Sequence, residues 1–173
     1  MDIQSLGKNS LKIKIKKSTL AIDPETSIQK IDADAILLID KQGDVSRINN
    51  SRVVISGEGE YEVAGLKIVG ISTGEEPMFV LNSDNVNVLL TKASSLKEIS
   101  TEKLGDYKIV VINADSEISE SMVTAMEPNV VILYGEKAKE GAKVLGKEGA
   151  VISGKLSVSE DKLPEEMEVM LLG

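Results

Sequence analysis

Asp34-Ala35-Ile36-Leu37-Leu38-Ile39-Asp40-Lys41-Gln42-Gly43-Asp44-Val45 is the stretch on which the fold turns. Its first half is a short, unbroken apolar run, the pattern of a strand buried on both faces. Its second half is polar and contains a glycine, so it reads as a loop leaving the strand's end. In layered α/β proteins ligands gather where strands end. A candidate site is therefore expected at Asp40 to Val45.

Outward from that strand, the first half of the chain reads as strands. Strands are expected at 3–6, 10–16, 19–22, 53–56, 78–81 and 86–90, with a helical turn over 25–31. Residues 57–63 and 66–71 form a hairpin through Ala64-Gly65, where Gly65 suits a positive-φ turn position. Lys12, Lys14, Lys16 and Lys17 interleave with Leu11, Ile13 and Ile15, which predicts a strand with aliphatics inward and lysines in water. The second half alternates. A strand at 108–112 precedes Ile118, Met122, Ala125 and Met126 at helical spacing, with Asp115 or Ser116 as the expected cap and Pro128 as the stop. Asn129 to Leu133 is another buried strand, making a βαβ unit. A weaker helix at 136–145 closes at Gly146, and strands near 150–153, 155–158 and 168–172 complete the chain. One α/β domain over 1–173 is expected.

Composition narrows the function. The chain has 173 residues, no Cys, no His and no Trp, so thiolate sites, disulfides and imidazole chemistry are absent together. A net charge of −8 with one Phe and three Tyr argues against nucleic-acid binding, because phosphate would be repelled and little is present to stack on bases. No apolar run has the ~20 residues of a membrane helix. Met1-Asp2-Ile3-Gln4 does not read as a signal peptide, and a cytoplasmic location is expected. Glu58, Glu60 and Glu62 alternate opposite Tyr61, the pattern of a solvated strand face. Gly57 and Gly59 lack the GKS/T sequence of a phosphate loop.

The order of segments resembles the metallo-β-lactamase superfamily, in its small branch similar to L-ascorbate-6-phosphate lactonase. Ile3 to Ile13 is similar to the family's "YLGHSSFRI", and Thr19-Leu20-Ala21-Ile22-Asp23-Pro24 to its "ILIDP". Ala33 to Leu38 resembles "ADAILLTH", and Ser56 to Ile68 resembles "GPGEYEVNGVKI". Leu156 to Glu166 is similar to the branch's usual ending. The resemblance implies an αββα sandwich of two mixed β-sheets with helices outside.

It also implies a metal loop, T-H-x-H-x-D-H, which this chain does not keep. Ile39 stands for the Thr, Asp40 and Gln42 for the first two His, Asp44 keeps the Asp, and Val45 replaces the last His. Lys8 stands where "GHS" has its His, a later metal His would fall near Gly135, and "HLGD" has no counterpart around Leu89 to Ala93. Zinc sites favour imidazole or thiolate donors with an open water position, and the residues present offer neither. The expectation is no cofactor, no zinc and no catalytic residue. A binding or assembly module is favoured, with a homo-oligomer or another protein as partner. The alternative is a hydrolase of a small ester, lactone or phosphoester with a rebuilt oxygen-donor metal site at Asp40, Gln42 and Asp44. A third reading is metal-free chemistry or anion binding by Lys8 and Asp40. Lys8 is expected to place its ammonium among Asp23, Asp40 and Asp44, offsetting carboxylates that would otherwise repel one another.

Overall fold

The computed structural model describes residues 1–40, 42–74, 76–83, 86–100, 102, 104–159 and 161–173. Lys41 of the quoted loop and Glu160 of the closing motif lie outside the described residues. Two β-sheets stack face to face. The smaller contains β1 (Asp2–Ser5), β2 (Leu11–Ile15), β3 (Ser18–Ile22), β5 (Ala35–Leu37), β7 (Val53–Ile55) and β15 (Lys155–Ser157), in the order β15-β1-β2-β3-β5-β7. A two-stranded ladder of β4 (Ile31–Asp32) and β6 (Ile48–Asn49) stands beside it. The larger sheet contains β8 (Gly59–Val63), β9 (Leu66–Ser72), β10 (Pro77–Asn82), β11 (Asn87–Lys92), β12 (Ile109–Asn113), β13 (Val130–Tyr134), β14 (Ala150–Ile152) and β16 (Glu168–Leu172). Its order is β14-β16-β13-β12-β11-β10-β9-β8, with β11 through β14 and β16 parallel and β8 to β11 antiparallel. This is the mixed-sheet α/β sandwich that the sequence implies.

Side-chain alternation explains why several strands read as continuous apolar runs. Along β13, Val130, Ile132 and Tyr134 enter the core between the sheets, while Val131 and Leu133 enter a second core under the helices. In β5, Ala35 and Leu37 face the partner sheet, while Ile36 and Leu38 pack against Ile28, Ala33 and Ile48 outside it. Both faces are thus dry, and there is no polar position for the strand to alternate with. β2 obeys the other rule: Ile13 and Ile15 are fully buried, while Lys14 and Lys16 are exposed and Lys12 is half-buried.

Among the described residues three α-helices cover the outer face of the larger sheet: α1 (Ala93–Glu98), α2 (Glu120–Thr124) and α3 (Ala138–Val144). The smaller sheet's outer face is covered instead by irregular chain around Ile28 and Ala33 and by Ile31 of β4 and Ile48 of β6. The helical turn expected over 25–31 contracts to one turn, closed by the Ile28 N–H donating to the Glu25 carbonyl at 3.2 Å. α2 is shorter than its periodicity suggests, and its N-cap is Ser119, not Asp115 or Ser116. Met126 is fully buried and Met122 packs beside it, so the pair is core. No helix among the described residues is long and apolar enough to cross a membrane.

Backbone approach fixes two glycines. The hairpin between β8 and β9 turns at Ala64 (φ 48°) and Gly65 (φ 82°), both left-handed, as a two-residue turn requires. At Gly70 in β9 a Cβ would sit 2.1 Å from the Gly57 carbonyl oxygen, so the lack of a side chain at Gly70 lets the two backbones meet. Glu58, Glu60 and Glu62 are exposed around this hairpin, and Tyr61 packs on the core.

Candidate functional site

The sandwich brings strand ends from both sheets to one place. β3 ends into Asp23 and β5 into Asp40, while β11 ends at Lys92 and β12 runs out through Asn113 to Asp115. Asp23, Asp40, Gln42, Lys92, Asn113 and Asp115 line a pocket of about 300 Å³ there. The loop after β5 thus lines one side of this pocket. Gly43 has to be small at this point, because a Cβ would meet Leu38 Cδ2 at 2.5 Å.

Asp23 is the most constrained of these residues. It is 5% exposed, and its backbone is left-handed (φ 41°) directly before Pro24, where extended backbone is preferred. Asp tolerates that region better than most residues, but the geometry stores strain that its surroundings must hold. They do so with four bonds. Its N–H donates to the Leu37 carbonyl at 3.0 Å, and its carbonyl accepts from the buried Ser10 hydroxyl at 2.7 Å. Its Oδ1 accepts from the N–H groups of Ile39 at 2.8 Å and Asp40 at 2.9 Å, tying β3 to the start of the loop. Its Oδ2 is buried and has no hydrogen-bond partner. Burial pushes the Asp23 carboxyl up to about 7, with the Asp40 charge adding to the rise; the two N–H bonds and Lys92 pull the other way. The phenol of Tyr134, at the end of β13, is raised well above its ordinary value by burial and by the charges of Asp23 and Asp115.

Among the described residues the cation lining the pocket is Lys92. Its side chain is 11% exposed, and its Nζ lies 2.7 Å from Glu76 Oε1, 3.5 Å from Asp115 Oδ2 and 3.9 Å from Asp40 Oδ2. Burial opposes its charge, but the hydrogen bond and charge of Glu76, with Asp115 and Asp40, outweigh burial and raise the ammonium above its ordinary value. The same acids hold the start of α1. Asp115 accepts from the Ser94 N–H at 3.1 Å and the Ser94 hydroxyl at 2.6 Å, and Glu76 Oε2 lies 3.4 Å from the hydroxyls of Ser94 and Ser95. Asp115 therefore caps α1 from across the fold, not α2.

The residues singled out in the sequence fall in separate places. Asp23, Asp40 and Gln42 line the pocket. Asp40 Oδ1 closes a local turn by accepting from the Gln42 N–H at 3.1 Å. The Asp44 carboxylate caps the 3₁₀ turn, accepting from the Ser46 N–H at 3.0 Å and hydroxyl at 2.7 Å, with Arg47 3.5 Å away. Those Ser46 bonds, ahead of Arg47, hold it below the usual carboxylate range. Val45 begins that turn and is exposed. Gly135 is a left-handed turn residue (φ 90°) after β13. Lys8 does not reach the acids: its ammonium pairs with Glu136 and is 58% exposed. The expectation that Lys8 sits among Asp23, Asp40 and Asp44 is corrected, and Lys92 holds that role towards Asp40. An exposed lysine keeps its hydration and gains little by reaching inward, whereas Lys92 is carried in by a strand buried on both faces. The sequence signal was a cation one residue beyond Thr91, after the apolar residues Val88 to Leu90.

A metal can be tested against this donor set. Among the described residues no three Asp, Glu, His or Cys side chains are grouped to hold a metal ion. The carboxylates nearest one another already share an ammonium, and Asp44 is turned to its own turn. The residues present do not fit the zinc centre that the resemblance implies.

No family model and no curated protein matches the sequence. Solved structures do match. A protein from Thermotoga maritima assigned to the zinc-dependent hydrolases of the metallo-β-lactamase superfamily is similar at 18% identity and TM-score 0.77, over 99% of this chain and 98% of that one. A metallo hydrolase from Ignicoccus hospitalis is similar at 11% identity and TM-score 0.60, over 91% and 99%. The metallo-β-lactamase fold protein YhfI from Bacillus subtilis is similar at 8% identity and TM-score 0.56, over 99% and 96%. At these identities the likeness is one of fold: the chain has a metallo-β-lactamase-like fold.

Proposed function

We propose that this chain is a non-catalytic member of the metallo-β-lactamase fold group, in the small branch similar to L-ascorbate-6-phosphate lactonase, acting as a binding or assembly module in the cytoplasm. One observation carries the reading. Of the positions that resemble the family's site, Asp40 and Gln42 stay at the pocket, while the others serve unrelated structural tasks: Lys8 pairs with Glu136, Asp44 caps a turn, Val45 lies in an exposed turn and Gly135 in a left-handed bend. Without a bound metal there is no Lewis acid and no water of lowered pKa at the strand ends. The sandwich and its pocket persist as a scaffold on which a homo-oligomer or another protein assembles as one domain, without nucleic acid or membrane.

The test is metal content and turnover in one preparation. Protein incubated with Zn²⁺, Mn²⁺ or Mg²⁺ and passed through gel filtration should retain far less than one ion per chain. It should not hydrolyse a panel of lactones, esters and phosphoesters faster than buffer. Near-stoichiometric zinc with metal-dependent turnover would overturn the reading.

A second reading has one observation in its favour. Asp23 is a buried carboxyl titrating near neutrality beside an ammonium, the environment of a general acid or base. Turnover that survives chelation and disappears in Asp23→Asn would select that reading. Turnover that needs Mg²⁺ or Mn²⁺ and disappears in Asp40→Asn would instead select the hydrolase with oxygen donors at Asp40, Gln42 and Asp44.

A further inference from the structure

We infer that the Lys92 ammonium is the resident cation of this pocket, fixed at the point where Glu76, Asp40 and Asp115 converge, so that the fold carries its own positive charge where a divalent ion would otherwise be needed. The inference rests on the reading that this pocket holds no metal.

Three observations support it. First, the convergence is built from four separate segments. Lys92 ends β11, Glu76 precedes β10, Asp40 follows β5 in the other sheet and Asp115 follows β12. Carboxylates brought together from both sheets repel one another unless a cation lies among them. Lys92 Nζ lies 2.7, 3.5 and 3.9 Å from the three. Second, the remaining carboxylate oxygens are spoken for. Glu76 Oε2 faces Ser94 and Ser95, Asp115 Oδ1 holds the Ser94 N–H, and Asp40 Oδ1 holds the Gln42 N–H. Third, Asp23 lines the same pocket with a buried Oδ2 that has no partner, so among the described residues at least one buried acceptor there is unmet. A site with a spare buried acceptor and a clamped ammonium is arranged for positive charge, and a tethered lysine supplies it without any free ion.

A lysine differs from a metal in ways that matter here. An ammonium offers three N–H donors and no open coordination position, so it neutralises carboxylates without activating water. It is also covalently attached, and cannot be removed by a chelator. One ammonium among three carboxylates eases their repulsion without a metal ion, and the pocket's shape should not respond to divalent ions.

Two measurements test this, and each separates it from the non-catalytic reading. In the first, the folded protein is acetylated briefly with a water-soluble N-hydroxysuccinimide ester and each lysine's modification is read by mass spectrometry. Lys92 should react several-fold more slowly than Lys14 or Lys8, and millimolar Mg²⁺, Mn²⁺ or Zn²⁺ should not change its rate. Lys92 reacting as fast as Lys14, or becoming reactive on addition of a metal ion, overturns the inference. In the second, Lys92→Met is melted with and without Mn²⁺ or Ca²⁺. The variant should melt below the parent and should gain a saturable rise in Tm with divalent ion. That rise should be absent from the parent and lost in Lys92→Met/Glu76→Gln. A folded Lys92→Met without a metal-dependent shift overturns the assignment of that point as a cation position. If Lys92→Met does not fold, acetylation of the parent decides alone. Turnover in a protein whose Lys92 stays protected would sink the non-catalytic reading and leave this inference standing. A reactive Lys92 in a protein without turnover would do the reverse.

Discussion

Asp23→Asn isolates the cost of burying one charge. In the folded chain the Asp23 carboxyl is raised from 3.8 to about 7, chiefly by burial. Below about pH 4 it is protonated in folded and unfolded chains alike. As the pH rises, the unfolded chain releases the proton while the folded chain keeps it, so stability falls. Above about pH 7 both forms are ionised and the full penalty applies. At about 1.4 kcal/mol per pH unit, the interval from 3.8 to about 7 corresponds to roughly 4 kcal/mol, an order-of-magnitude figure. About half of that loss falls between pH 5 and pH 7.

The substitution is well matched. Asn is at ease in left-handed backbone and retains an Oδ1 that can accept from the Ile39 and Asp40 N–H groups. The background is clean, because the chain has no His and no Cys to titrate between pH 5 and 8. The α-amino group is common to both proteins and cancels in their difference. Urea unfolding at pH 5, 6, 7 and 8 is the assay. The parent should lose stability across the series by about 2–3 kcal/mol. Asp23→Asn should be nearly flat and the more stable protein at pH 8. Parallel curves for parent and variant would refute the argument that this carboxylate is held against its ionisation.

Three other substitutions probe separate layers. Ser10→Ala removes the hydroxyl that donates to the Asp23 carbonyl and accepts from the Glu25 N–H, leaving both with unmet bonding; unfolding should show a loss of about 2–3 kcal/mol. Leu37→Ala, at a fully buried position between the sheets, should cost about 2–5 kcal/mol by the same assay, with a two-state transition retained. Val151→Lys changes a side chain that is 70% exposed on the edge strand β14; it should leave stability within about 0.5 kcal/mol by urea unfolding and, on the proposal of an assembly module, lower the sedimentation coefficient relative to the parent.

Much of this fold is legible because burial writes itself into the sequence. Ala35 to Ile39 and Val130 to Leu133 are unbroken apolar runs because both faces of each strand are dry. Lys12, Lys14 and Lys16 betray the wet face of β2 by alternation. α1 was not legible. It has six residues, follows the apolar run of β11 directly and has no local side-chain cap, because Asp115 arrives from 21 residues away. The site was half legible for the same reason. Asp23 and Asp40 could be placed from the order of strands, but a cation's partners are set by tertiary approach. Lys8 and Lys92 differ little as sequence; they differ in that a doubly buried strand delivers only Lys92 to the acids.

Gly135 is held to glycine by its backbone and by Asn113. The resemblance places a metal His near this position, yet its backbone is left-handed at φ 90°. A Cβ there would lie 2.4 Å from Asn113 Oδ1, an atom buried without a hydrogen-bond partner. Any side chain would therefore meet both backbone strain and a collision with a group that cannot be displaced into water cheaply. Left-handed backbone costs a non-glycine residue about 1–2 kcal/mol, and moving the Asn113 amide adds to it. Gly135→Ala should lower stability by at least about 1–2 kcal/mol in urea unfolding. It should also shift the Asn113 side-chain amide resonances and those of Asn9, whose Oδ1 accepts from Asn113 at 3.4 Å. A neutral Gly135→Ala with unmoved Asn113 resonances would mean that the bend is permissive. Its glycine would then carry no information about the lost ligand. The expected result means that a histidine at this position would meet the same backbone strain and the same contact with Asn113.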